Sequence, residues 1–301
     1  MTGLLLLDKP CGITSQSAVT RVKRLYSAGK AGHTGTLDPM AEGLLPVCLG
    51  EATKFSHLLL DADKGYLATI KLGVTTSTGD LEGEVRSTAP VSVERAAVEK
   101  VLARFTGEIL QTPPMYSAVK HAGKRLYELA RAGATVARVP RRIEIKAIEL
   151  IALEHDTLRI EVLCSKGTYI RVLAEDIGAE LGCGACLAAL RRTRSGEFRG
   201  EDAISLEALQ ASDEAARNAR LLAVDALVAS LPRIDLEACA ARELAAGRVV
   251  RQAAHRFATD LARIYGPGHH FLGVARVLAS GDIVPRRLMA NVARAGAAGI
   301  A

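Results

Sequence analysis

Residues 142–164 read RIEIKAIELIALEHDTLRIEVLC, two runs of β-branched and aliphatic residues, 142–154 and 157–164, separated by His155-Asp156. Alternation on both sides of a two-residue break predicts a pair of antiparallel strands. Upstream, residues 66–72 (YLATIKL) alternate as far as Gly73, and residues 84–86 can return after the turn signals Gly79-Asp80 and Glu82-Gly83. Residues 92–105 carry Val93, Ala96, Val98, Val101, Leu102 and Phe105 on a helical stripe that Gly107 stops. Downstream, residues 169–181 resume a helical period through Ile170, Leu173, Ile177 and Leu181, ending at Gly182. Near the start, residues 17–25 place Val19, Val22 and Leu25 at helical spacing behind the N-cap hydroxyls of Thr14-Ser15. Strands thus surround helices in no regular βαβ order, which predicts an α+β fold rather than a doubly wound sheet.

Residues 111–142 break the pattern with Pro113-Pro114, Gly133, Pro140 and a cluster of arginines, and read as a basic insertion. Residues 205–227 are rich in Ala and Leu and predict one or two surface helices. Composition shifts again at Leu231-Pro232, after which short strands and a helix at 240–246, closed by Gly247, predict a small second domain. A length of 301 residues agrees with two domains, and 49% hydrophobic with 24% charged residues is a globular composition.

Thirty-nine Lys and Arg against 33 Asp and Glu give a net charge of +6, which favours a polyanionic partner. Only 4% of residues are aromatic and Trp is absent, which argues against a platform of stacking rings. The six cysteines lack the spacing of a secreted disulfide framework, and Leu4–Leu7 is too short for a signal peptide, so a reducing cytoplasm is expected. No apolar stretch approaches the ~20 residues that cross a bilayer. Phosphate-loop, dinucleotide, zincin and nucleophile-elbow motifs are absent. Cys183-Gly184-Ala185-Cys186 has no second half at zinc-site spacing, and two packed small residues are the better reading. No helix-turn-helix signal supports a DNA-binding regulator.

The densest cluster of unusual residues is Gly32-His33-Thr34-Gly35-Thr36-Leu37-Asp38-Pro39, followed by Ala41, Gly43 and Leu44. Two glycines, two threonines and a proline in eight residues describe a loop shaped by turn residues and hydroxyls, able to hold one carboxylate rigidly. Asp38 stands before Pro39, where extended geometry lets its side chain project. The plainer alternative is that Asp38 only closes an Asx turn.

Six ordered runs carry a resemblance. They are Asp8-Lys9-Pro10-x-Gly12-x-Thr14-Ser15, the 32–39 loop with Ala41 and Gly43, Lys64-Gly65-Tyr66 with Leu72-Gly73, Thr76 and Asp80, Pro113-Pro114-x-Tyr116-Ser117-Ala118, Ser165-Lys166-Gly167-Thr168-Tyr169-Ile170-Arg171, and Leu190-Arg191-Arg192. In these, over almost its whole length, the chain resembles the bacterial tRNA pseudouridine-55 synthase (TruB) family. The resemblance implies a mixed, mostly antiparallel sheet with a central cleft in residues 1–230, including the insertion at 111–142. It also implies a small β-rich RNA-binding domain of the PUA type in residues 231–301. The implied reaction is isomerisation of uridine 55 in the tRNA T-arm to pseudouridine, with the base flipped out of the stack and neither cofactor nor metal.

By the same resemblance Asp38 is the catalytic carboxylate, Tyr66 stacks on the target uracil, and Arg171 pairs with the carboxylate. Tyr169, two residues from Arg171, is expected on the same side of an extended segment. Leu190 is expected to line the uracil site, His33 to occupy space left by flipped nucleotides, and Lys9 to lie near the cleft. Arg138, Arg141, Arg142, Arg191, Arg192 and Arg194 are expected to meet phosphates, which positions RNA without specifying it. Attack at C6, attack at C1′ and a glycal route stay open as chemical paths. The related catalytic subunit of guide-RNA particles is the nearest enzymatic alternative, but this chain lacks long Lys-rich tails and its Gly12-x-Thr14-Ser15 run suits the stand-alone family; a monomer without an obligatory protein partner is expected. The alternative function is a non-catalytic tRNA chaperone, or RNA-binding protein, on the same fold.

Overall fold

The computed structural model describes residues 1–117, 119–121, 123–251 and 259–290. Ala118 of the Pro113-Pro114 run, and residues 252–258 and 291–301 of the expected C-terminal domain, lie outside the described residues. In chain order come β1 (Gly3–Lys9), α1 (Ser15–Leu25), β2 (Ala31–His33), β3 (Glu42–Leu49), α2 (Ser56–Leu60), β4 (Lys64–Leu72), β5 (Val74–Thr76) and β6 (Val85–Thr88). Next are α3 (Arg95–Phe105), β7 (Gly107–Gln111), β8 (Lys120–His121), β9 (Lys124–Arg125), α4 (Leu126–Arg131), β10 (Arg141–Glu154), β11 (Thr157–Cys164), α5 (Ile170–Glu180) and β12 (Ala185–Ser195). β13 (Phe198–Arg199), β14 (Ile204–Ser205), α6 (Leu206–Ala211) and α7 (Glu214–Ala219) precede β15 (Arg233–Asp235), α8 (Ala238–Ala245), β16 (Leu261–Gly266), β17 (His270–Val277) and β18 (Ile283–Leu288).

The β10–β11 hairpin turns at His155, whose φ of 53° supplies the left-handed residue of a tight connection. It sits inside a ten-stranded mixed sheet ordered β14-β1-β3-β12-β4-β11-β10-β7, with β2 added to β3 and β13 to β12. Among the described residues of this sheet only the β1–β14 and β3–β12 pairs are parallel, so the fold is α+β. The four leucines Leu4–Leu7 are buried because β1 is an inner strand covered on both faces: Leu5 and Leu7 join one core, Leu4 and Leu6 another. Each such side chain contributes roughly 1.5–3 kcal/mol by leaving water.

Two local expectations change, and the one or two helices expected in residues 205–227 are found as two. The return strand pairs as β6 with β5, away from the large sheet, since the chain turns sharply at Gly73 (φ 77°). Residues 205–227 form two short helices and a 3₁₀ turn, because Asp213 accepts a hydrogen bond from Ala216 N and starts a new helix where α6 ends. Tyr169 and Arg171 do not share an extended segment: Tyr169 is extended, but Arg171 already lies in the first turn of α5.

A second sheet, ordered β15-β16-β17-β18, encloses its own core with α8. It joins the first through Phe271, whose ring centroid is 5.4 Å from that of Phe55 and 5.6 Å from that of Tyr265. The Tyr265 hydroxyl donates to Asp225 Oδ2 at 2.7 Å, and Lys54 Nζ donates to Leu288 O at 3.1 Å.

Where β3 meets β12 beneath the 32–39 loop, Gly43 has φ 98°, and an added Cβ would lie 2.4 Å from Arg192 O. We predict that Gly43→Ala lowers the free energy of unfolding by about 3 kcal/mol in urea titration, combining a left-handed backbone with a backbone clash. An unchanged midpoint would show that β3 can move away from β12.

Candidate active site

The 32–39 loop is braced from several sides. Ser15, buried at the start of α1, donates through Oγ to Leu37 O (2.9 Å) and accepts from Leu37 N (2.8 Å). Lys9 extends its buried amine beneath the loop and donates to Pro10 O (2.9 Å), Ile13 O (2.8 Å) and Pro39 O (3.4 Å). Gly12 N donates to Pro39 O at 2.8 Å. From β12, Arg192 donates through Nε to Leu44 O (2.7 Å) and through Nη2 to Gly35 O (3.1 Å). Thr14 caps α1 by accepting from Ser17 N, which frees Ser15 for the loop. None of these braces uses the Asp38 side chain.

That side chain meets Arg171, 133 positions further along the chain. Arg171 donates through Nε to Asp38 Oδ2 at 2.9 Å, and Nη2 lies 2.9 Å from the same oxygen. Nη1 also donates to Thr78 O (2.9 Å) and Nη2 to Tyr116 O (2.8 Å), while Asp80 Oδ2 stands 3.6 Å from Nε. Asp80 is itself buried and accepts from Thr78 Oγ1 and Glu82 N. The guanidinium is therefore a buried hub between two carboxylates, with its planar fork fixed on both sides. Its side chain is 5% exposed, whereas that of Asp38 is 39% exposed. Among the described residues no hydrogen bond engages Asp38 Oδ1, so one carboxylate oxygen is held and the other is available.

Asp38 opens into a cleft of roughly 270 Å³ whose walls include Tyr66, Lys64, Tyr169, Arg171, Leu190 and Arg192. Sheet register explains this grouping. Arg192 faces Tyr66 across the β4–β12 pair, and Leu190, two residues before Arg192 and opposite Ala68, shares that face. Burial raises the phenol pKa of Tyr66, with Arg192 opposing the rise, and burial likewise raises that of Tyr169. Both phenols therefore keep their protons at neutral pH. His33 stands behind Gly35, whose N donates to His33 Nδ1 at 3.2 Å. Burial and the charge of Arg192 lower its pKa, which favours a neutral ring with its proton on Nε2.

Lys64 donates to the carbonyls of Leu59 (3.1 Å), Leu60 (2.7 Å) and Ala62 (2.6 Å), tying the end of α2 to the cleft. Burial, with Arg192 adding to it, lowers its pKa to about 8. An unfolded chain still holds this proton between pH 8 and 10.5, where the folded chain sheds it, so Lys64 adds to stability as pH rises through that window. We predict that urea titrations from pH 7 to 10 show wild type gaining on Lys64→Met. Parallel curves would show that the amine keeps its proton.

The other arginines disperse. Arg191 points from the opposite face of β12, where Asp8 (2.6 Å) and Glu42 (3.0 Å) hold it. It borders a larger hollow of roughly 610 Å³ that contains neither Asp38 nor Tyr66. Arg192 is buried and committed to carbonyls, which suits a loop brace rather than a phosphate contact. Arg141 and Arg142 are exposed at the start of β10, with Arg142 3.8 Å from Glu108. Arg138 donates to Pro113 O at 3.0 Å and Arg194 to Gly196 O at 2.8 Å. Cys183 and Cys186 are both buried, as expected of packed small residues.

Residue-level reading of the sequence did not single out Asp80, Lys64, Gln111 or Ser15 for the site. Asp80 and Lys64 stood inside quoted runs, Gln111 marked only the edge of the insertion, and Ser15 was read as a cap. Ser15, Asp80 and Gln111 find Leu37, Arg171 and Tyr169 far along the chain, and Lys64 folds back onto nearby carbonyls of α2 and the turn after it; periodicity and spacing signal neither.

Three family models match consecutive spans: the TruB family pseudouridylate synthase N-terminal domain over residues 23–170, the tRNA pseudouridylate synthase B C-terminal domain over 171–234, and the pseudouridine synthase II TruB C-terminal region over 232–289. A protein of Aromatoleum aromaticum named tRNA pseudouridine synthase B is 54% identical over 293 residues, covering 97% of this chain and 94% of that one. One of the same name from Methylobacillus flagellatus is 51% identical over 287 residues, covering 95% of each. Among solved structures, an H/ACA RNP bound to a substrate RNA containing 2′-deoxyuridine superposes with TM-score 0.74 at 25% identity, over 96% of this chain and 86% of that one. A Cbf5-Nop10-Gar1 complex gives 0.72 at 29% identity, over 93% and 79%. With its Asp38 loop, Tyr66 and Arg171 gathered at one cleft and these relatives matching nearly end to end, the chain belongs to the TruB family of pseudouridylate synthases.

Proposed function

We propose that this enzyme isomerises uridine 55 in the T-arm of tRNA to pseudouridine, with Asp38 as the catalytic carboxylate. The observation that carries the reading is the carboxylate itself: Oδ2 clamped by Arg171 at 2.9 Å and Oδ1 without a hydrogen bond among the described residues, at the wall of a cleft shared with Tyr66 and Leu190. The relatives' names supply tRNA as substrate, and the resemblance supplies position 55.

A uridine in a folded loop is out of reach, so the base must leave the stack, at a cost of a few kcal/mol. Once in the cleft, uracil has the ring of Tyr66 to stack on and Leu190 to exclude water. The N1–C1′ bond breaks, the uracil turns, and C5 joins C1′. The C5 hydrogen is lost and N1 gains one, so atoms and electrons balance without a redox or group-transfer partner. Asp38 acts as nucleophile or as base toward the sugar or base, and all three chemical paths use that one carboxylate. The Tyr66 hydroxyl helps move the C5 proton. Exposed arginines such as Arg141 and Arg142 supply phosphate contacts, and residues 231–301 an additional RNA surface. The enzyme works as a monomer in the cytoplasm, with no guide RNA, cofactor or metal. Among the described residues no helix is long and apolar enough to cross a membrane.

The test is mass-spectrometric mapping of an unmodified tRNA transcript incubated with pure protein and nothing else. One new pseudouridine at position 55 is expected; none, or one elsewhere, overturns the assignment. Binding measured against salt counts the phosphates engaged.

A further inference from the structure

Gln111 ends β7 and is 3% exposed. Its carboxamide meets the backbone of one residue with both of its polar atoms: Oε1 accepts from Tyr169 N at 2.8 Å, and Nε2 donates to Tyr169 O at 3.1 Å, so it spans the two peptide groups that flank the Tyr169 Cα. The side chain thus plays the part of a neighbouring strand for a single residue. Tyr169 needs such a partner because it lies between the sheet and α5. Its carbonyl also accepts the first helical bond, from Leu173 N at 3.0 Å. Two residues later, in the first turn of α5, Arg171 leaves the backbone to clamp Asp38.

The same glutamine is one root of the insertion. Its backbone pairs with Arg141, the residue at which the chain returns from 112–140. The insertion touches the site a second time through Tyr116 O, which accepts from Arg171 Nη2. Tyr169 and Arg171 are therefore both fastened, one by its peptide and one by its guanidinium, to the two ends of a short chain stretch, 111–116.

We propose that Gln111 is a positioning residue for pseudouridylation: its carboxamide fixes the Tyr169 peptide, and with it the setting of the first turn of α5 that brings Arg171 onto Asp38. The inference rests on the reading of Asp38 as the catalytic carboxylate. Gln111 touches neither Asp38 nor the cleft, so its loss should spare RNA binding and slow the chemical step. Misplacement by about an ångström at a reacting group costs on the order of 100-fold in rate.

The test uses Gln111→Met, which keeps length and loses both hydrogen bonds, and Gln111→Glu, which keeps the acceptor for Tyr169 N but sets an oxygen against Tyr169 O. Single-turnover pseudouridine formation with saturating enzyme, tRNA affinity by filter binding and thermal melting are measured beside wild type. A rate at saturation lowered on the order of 10–100-fold, with affinity within about two-fold, is expected of both folded variants. Gln111→Asn, whose amide is drawn back by one methylene, gives the same reading if either variant fails to fold. Full rate in a folded variant, or weakened affinity with an unchanged rate at saturation, overturns the proposal. An inactive wild type would instead overturn the functional reading beneath it.

Discussion

Asp38→Asn is expected to abolish pseudouridine formation, lowering the single-turnover rate on the order of 10⁴-fold or more, while tRNA affinity stays within about two-fold. The size follows from the proposed role: a nucleophile or base has no substitute when an amide replaces it, and among the described residues no other carboxylate lines the cleft. The fold should tolerate the change. The loop is braced through Ser15, Lys9, Gly12 and Arg192, none of which touches the Asp38 carboxylate. Asn Oδ1 can still accept from Arg171 Nε, and Asp80 remains beside the guanidinium. Rate and binding are measured on the same transcript. Conversion by the variant at the wild-type rate would defeat the assignment of catalysis to Asp38, whereas a wild type that binds tRNA and converts nothing would favour the tRNA-chaperone reading.

Arg171→Ala is expected to damage both stability and chemistry. Removing the guanidinium leaves Asp80 buried without its charge partner and strips donors from Thr78 O and Tyr116 O. Breaking a buried pair from one side costs about 3–5 kcal/mol, to be read as a lowered urea midpoint. Arg171→Lys restores a charge but not the fork. A single ammonium cannot reach Asp38 Oδ2, Thr78 O and Tyr116 O together, so the Lys variant should recover part of the stability yet remain on the order of 100-fold slow. Full activity in Arg171→Lys would mean that the site needs only a nearby positive charge, not a fixed orientation of Asp38.

Much of the sheet was legible because strand alternation is local. The 157–164 run coincides with β11, the 142–154 run gains only Arg141, and the helical stripe at 92–105 contains α3. Glycine stops also read true: Gly107 and Gly182 adopt left-handed φ values of 99° and 77° just past their helices. The adjacent arginines show where reading stops. Arg191 and Arg192 look alike in sequence, yet successive residues of a strand face opposite ways. One is held by Asp8 and Glu42 on the far face, while the other is buried behind Tyr66 and braces Gly35. Which of the two faces the cleft depends on the β4–β12 register, a pairing between segments more than a hundred residues apart.

By itself, the sequence determined the elements, the rigid character of the loop around Asp38 and, through six ordered runs, the family to which the chemistry belongs. These depend on turn residues, periodicity and spacing, all set by neighbours along the chain. Tertiary structure alone decided that Arg171 spends its fork on Asp38, Asp80 and two carbonyls, that Lys9 and Arg192 serve as buried braces, and that Gln111 holds the Tyr169 peptide. A buried polar group takes whichever partner packing brings within hydrogen-bond reach, and that partner is fixed by sheet register and helix docking rather than by sequence distance.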